Sequence, residues 1–161
     1  MDSHTLPYWP KDLTVSCVAF SQRIMGISSP SFWNPLSNYT QLTHFSLLKV
    51  VEIGKDDEDI CALSQATLEA ICQHLSRLPA LTSIVLEQLV LHAEHIQVLC
   101  KYIPSFAGLR SLSVAGNTFL PASALQQLFQ ALAGSKLTHI CLNDLAHVGG
   151  ALEALEVPTL E

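Results

Sequence analysis

The chain has 161 residues, 49% hydrophobic and 14% charged, which is enough apolar side chain for a buried core and too little charge for a disordered tail. The net charge of −6, with eight scattered Lys and Arg, leaves no basic cluster for nucleic acid or an anionic membrane surface, and no run reaches the roughly 18 apolar residues of a spanning helix. Five cysteines without a Cys-x-x-Cys pair fit reduced thiols, and the first residues lack the pattern of an export signal, so a cytoplasmic location is expected.

Residues 1–12 read as an N-terminal cap. Leu6, Tyr8 and Trp9 can cover a first structural unit, while Pro7 and Pro10 prevent another strand from pairing there. Leu13 opens a first strand, Leu-Thr-Val-Ser-Cys-Val, in which Ser16 takes an apolar position. Phe32, Trp33, Leu36 and Tyr39 follow at helical spacing, but Pro35 predicts a short or distorted helix. Leu42 opens Leu-Thr-His-Phe-Ser-Leu, a second strand. After it, near residues 54–64, the run Asp56, Asp57, Glu58 and Asp59 reads as an acidic insertion on a strand-to-helix loop.

Leu68, Ile71, Cys72, Leu75 and Leu78 form one face of an amphipathic helix that leads to a third strand, Leu-Thr-Ser-Ile-Val-Leu, from Leu81. The same offsets recur before Leu109 as Ile96, Leu99, Cys100, Ile103 and Phe106. Leu109 then opens Leu-Arg-Ser-Leu-Ser-Val. A helix from Ala122 to Ala133, with Pro121 at its start and Gly134 at its end, precedes Leu-Thr-His-Ile-Cys-Leu from Leu137. Residues 149–161 read as a short helix and tail. Either Leu155, Val157 and Leu160 cap the final strand, or the array was cut from a longer one; an exposed end would offer a homodimer contact.

The openings at Leu13, Leu42, Leu81, Leu109 and Leu137 lie 29, 39, 28 and 28 residues apart, and the acidic insertion accounts for the long interval. The repeated Leu-x-x-Leu-x-Leu, with Ile or Val allowed, resembles the leucine-rich repeat family, specifically the longer type found in ribonuclease inhibitor and in the sensor regions of nucleotide-binding immune receptors. The resemblance covers roughly residues 13–155. It implies an α/β solenoid of about five repeats over residues 13–148, with a curved parallel sheet on the concave side and helices on the convex side. Strands pair about 4.8 Å apart whereas helices need about 10 Å, so the helical side must splay. The family usually places asparagine at the ninth position of each unit. Only Asn117 matches; Ser21, Val50, Leu89 and Leu145 occupy the others, so irregular turns are expected.

In such a strand the leucines face the core and the residues between them face outward. The outward positions are Val15, Cys17 and Ala19; His44, Ser46 and Leu48; Ser83, Val85 and Glu87; Ser111, Ser113 and Ala115; and His139, Cys141 and Asn143. Most are small and neutral. The expected function is non-catalytic binding of another protein through this face, with the acidic loop Asp56–Asp59 as a second contact for a basic partner.

His44 and His139 lie three strand steps apart, roughly 14 Å, and cannot share a metal ion. His92 and His95 form a His-x-x-His at a helix start, without the further ligands zinc needs, and read as a polar helix start. Neither metal nor cofactor is expected, and no catalytic motif is present. Cys72 and Cys100 read as buried small hydrophobes. Two alternatives stay open: a recognition or regulatory module of a larger protein or of a secreted bacterial effector acting in a host cytoplasm, and, less favoured, a thiol-dependent enzyme using Cys17 or Cys141.

Overall fold

The computed structural model describes residues 9–24, 26–52, 63–117 and 120–143. Leu6, Tyr8, the acidic run Asp56–Asp59, Leu145, the 149–161 tail and any dimer contact there lie outside the described residues.

The chain folds as an α/β protein with a five-stranded, all-parallel sheet alternating with helices. The strands are β1 (Cys17–Ile24), β2 (His44–Glu52), β3 (Ser83–Glu87), β4 (Ser111–Ser113) and β5 (His139–Cys141), and their order in the sheet is their order in the chain. Between them run a 3-10 helix (Pro30–Asn38), α1 (Gln65–Leu75), α2 (Ala93–Tyr102), a short 3-10 turn (Ile103–Ser105) and α3 (Ala122–Ala133). The 3-10 helix packs on α1, α1 on α2, and α2 on α3. Among the described residues no helix is long and apolar enough to cross a membrane.

Alternation along each strand separates two faces. Val18, Phe45, Ile84 and Leu112 lie in register across the sheet, as do Phe20, Leu47 and Leu86, and all are buried in one cluster with the helices. Fully burying each such side chain stabilises by about 1.5–3 kcal/mol. The helical spacing is matched closely: Leu68, Ile71, Cys72, Leu75 and Leu78 are all buried, and α3 spans the expected Ala122–Ala133. Cys100 is only half-buried. Pro35 sits inside the 3-10 helix, where a missing amide and a ring clash disfavour regular α-helix.

Each strand after the first enters the sheet through the same knot. The carbonyl of Ser16 accepts the amides of Thr43 (2.8 Å) and His44 (3.0 Å); that of Thr43 accepts Thr82 and Ser83; that of Thr82 accepts Arg110 and Ser111; and that of Arg110 accepts Thr138 and His139. Where the first of these residues is threonine, its hydroxyl donates to the same carbonyl, at 2.9, 3.1 and 3.2 Å for Thr43, Thr82 and Thr138.

This pairing corrects the register expected for the first unit. Cys17 lies opposite His44 and Val18 opposite Phe45, so the counterpart of Leu42 is Val15, two residues after Leu13. Val15 packs against the core, whereas Leu13 is 49% exposed. A two-residue slip keeps the alternating residues from Cys17 onward on their own faces and changes the places of Leu13, Val15 and Ser16 alone, so alternation within the strand does not choose between the frames. Ser16 is therefore a knot residue, not a defect in the core.

The turns are more regular than the missing asparagines imply. Lys49, Gln88 and Gly116, each seven residues after a unit's opening Leu, have φ of 44°, 53° and 72°. Lys49 is also the extra residue of a bulge, because Leu48 pairs with Ser21 and Val50 with Gln22. A Cβ on Gly116 would come within 2.9 Å of Gln88 Cγ, so glycine suits this turn twice over. Asn117 is fully buried and donates from Nδ2 to the carbonyls of Leu86 and Val114, both at 2.8 Å. Leu89, at the matching place one unit earlier, is buried as an apolar filler.

The first unit is closed by aromatic rings. Trp9 is 5% exposed, stacks on Tyr39 (5.6 Å) and meets Phe20 edge-on (5.0 Å). Its indole Nε1 donates to the Phe32 carbonyl at 3.1 Å, and the Tyr39 hydroxyl donates to the Pro10 carbonyl at 2.6 Å. Trp9 is therefore part of the aromatic core of the first strand and the 3-10 helix. Replacing it (Trp9→Ala) should cost about 3–5 kcal/mol in denaturant unfolding followed by circular dichroism. A loss below about 1 kcal/mol would show that the plug is dispensable.

Candidate functional site

The sheet face turned away from the helices carries the outward residues in rows. One row is Cys17, His44, Ser83, Ser111 and His139; the next is Ala19, Ser46, Val85, Ser113 and Cys141; a shorter third contains Leu48 and Glu87. His44, His139, Leu48 and Asn143 are exposed, while Ser46, Ser83, Val85, Glu87, Ser111 and Cys141 are half-buried. Val15, expected on this face, belongs to the core side because of the corrected register.

Ser113 and Ala115 depart from expectation by being buried, at 6% and 8% exposure. Ser113 is also tied to the neighbouring strand: its Oγ donates to Oε1 of Glu87. The Ser113 hydroxyl also lies 3.5 Å from the Ala115 amide.

Both outward histidines are oriented by the preceding threonine. His44 Nδ1 is 2.7 Å from Thr43 Oγ1, and His139 Nδ1 is 2.8 Å from Thr138 Oγ1. Because each hydroxyl proton goes to a knot carbonyl, its oxygen is left to accept from the imidazole Nδ1. The shared Thr-His in the second and fifth strands was the available sequence signal for this arrangement. Cys17 lies in register beside His44 and is exposed, a neighbourhood that only the corrected pairing brings together.

His92 and His95 serve a different purpose. His95 is buried; its Nδ1 accepts the His92 amide at 2.9 Å, and its Nε2 donates to the Leu63 carbonyl. Both ring nitrogens are occupied by the backbone, and the pair forms the capping box of α2. Among the described residues no group of three or more His, Cys, Asp or Glu is placed to hold a metal ion.

The thiols differ sharply. Burial, reinforced by Glu69, pushes Cys72 up to about 12, and burial also raises Cys100. Cys17 and Cys141 stand at opposite edges of the sheet, four strand steps or about 19 Å apart, too far for a disulfide.

No protein-family model matches the chain, and a search of curated proteins finds no match.

Three outcomes follow from this geometry. His95→Ala leaves the His92 amide and the Leu63 carbonyl without partners and should lower stability by about 1–3 kcal/mol. Zinc should not raise the melting temperature of the unaltered chain; a zinc-dependent rise abolished by His95→Ala would contradict the capping role. In peptide-resolved iodoacetamide labelling at pH 8, Cys17 should react in the native protein and Cys72 only after denaturation, because a raised pKa withholds the thiolate. Equal rates at the two positions would contradict the described burial.

Proposed function

We propose that the chain is a leucine-rich repeat solenoid that acts as a non-catalytic scaffold, binding another protein through the open face of its sheet. The sequential strand order, the knot repeated at four strand junctions and the left-handed residue repeated in three turns support the solenoid reading. The observation that carries the binding reading is the open face itself. Among the described residues one side of the sheet is closed by helices, while the other carries no covering element and presents short, mostly neutral side chains in registered rows. Short side chains let a partner approach the strands closely, so its own larger groups can supply the anchoring contacts. The binding residues in this reading are His44, Ser46, Ser83, Val85, Glu87, Ser111, Ser113, His139, Cys141 and Asn143. A cytoplasmic setting agrees with the free thiols of Cys17, Cys72, Cys100 and Cys141.

The test is affinity capture with the intact chain and two matched pairs of variants. Ser83→Tyr with Ser111→Tyr fills the open face without adding charge; Gln73→Tyr with Gln97→Tyr alters exposed helix positions. A partner held through the sheet should be reduced about tenfold or more by the first pair and retained by the second. Retention by the sheet variant with loss from the helix variant would contradict the reading.

A further inference from the structure

The open face is nearly uncharged, and its exception is a carboxylate. Among the registered outward positions of the three rows Glu87 alone bears a permanent charge, with the exposed Lys49 following Leu48 at the β2 bulge. The Ser113 hydroxyl, itself buried, donates to Glu87 Oε1 and holds the side chain in one orientation before any partner arrives. The ion pair present among the described residues is Lys101 with Glu69, between α2 and α1 on the helical side. Glu87 is thus an oriented anion that makes no ion pair among the described residues, with Lys49 or with any other cation.

A second observation lies beside it. Leu48 pairs in register with Glu87, one strand spacing or about 4.8 Å away, on the same face. It is 39% exposed, and only Leu13 among the described large hydrophobic residues joins it in being exposed. An apolar side chain and an oriented carboxylate one strand apart match the two ends of a long basic side chain, whose aliphatic stem covers apolar surface while its head makes a charge-assisted hydrogen bond. A neutral polar group would leave the anion unpaired on desolvation, and an acidic group would be repelled.

We infer that Glu87 and Leu48 together form the seat for a cationic side chain, arginine or lysine, of the partner protein, with the stem on Leu48 and the charged head on Glu87. This rests on the open-face reading above and adds the chemistry of the partner. Ser113 acts as a positioning residue that holds the carboxylate.

Selection of a random peptide library on the unaltered chain tests it, with Glu87→Gln, Leu48→Ser and the Ser83→Tyr, Ser111→Tyr pair as comparisons, each checked by an unfolding curve. Selected peptides should carry Arg or Lys, and a representative should bind Glu87→Gln about tenfold more weakly. Replacing its basic residue with alanine should cost a similar factor on the unaltered chain and little more on Glu87→Gln, as a coupled pair requires. Leu48→Ser should weaken binding while leaving the salt dependence in place. Peptides blocked by the tyrosine pair yet lacking a basic residue, or binding Glu87→Gln unchanged, would overturn the seat and leave the open-face reading standing. Peptides indifferent to both the tyrosine pair and Glu87→Gln would overturn both.

Discussion

One carbonyl at each strand entry governs the sheet. Ser16, Thr43, Thr82 and Arg110 each offer a single oxygen to two successive amides of the next strand, and at three of the four junctions a threonine hydroxyl joins them. Each such bond contributes only about 0.5–1.5 kcal/mol net, but a one-residue slip would break the set and turn every side chain to the opposite face. The knots therefore hold the leucines against the helices and align the outward residues in rows. The same threonines orient His44 and His139, so the contacts that set the register also shape the open face.

The sheet is deepest at its N-terminal side. β1 and β2 have eight and nine residues, whereas β4 and β5 have three each. The long side accompanies the aromatic plug of Trp9, Phe20, Phe32, Trp33, Tyr39 and Phe45, whose bulk supports the irregular 3-10 helix where Pro35 denies an α-helix. Leu48 and Glu87 fall in the third row, which is built from the longer strands. The inferred seat thus belongs to the deep side of the sheet, just before the left-handed turn residues Lys49 and Gln88.

Much of the fold is legible in the amino-acid order because apolar periodicity reports burial directly. The stripe Leu68, Ile71, Cys72 and Leu75 and the helix Ala122–Ala133 are plain from spacing, and the outward faces of β2 to β5 follow from strand alternation. The first strand resists for a definite reason: frames beginning at Leu13 and at Val15 differ by two residues and share the same alternation. Val15-x-x-Val18-x-Phe20 was the better match, but the knot at Ser16 decides it. Contacts between distant residues are the least legible. Ser113 donates to Glu87 one strand away, and His95 is held by Leu63, 32 residues earlier, so neither contact follows from local spacing.

The registered face is the premise for every surface contact assigned here, and nuclear Overhauser contacts across the β1–β2 pair test it most directly. Cross-strand contacts of Cys17 with His44 and of Val18 with Phe45 are expected. Contacts of Val15 with His44 and of Ser16 with Phe45 would restore the frame beginning at Leu13 and contradict the knot, the core position of Val15 and the placement of Cys17 beside His44.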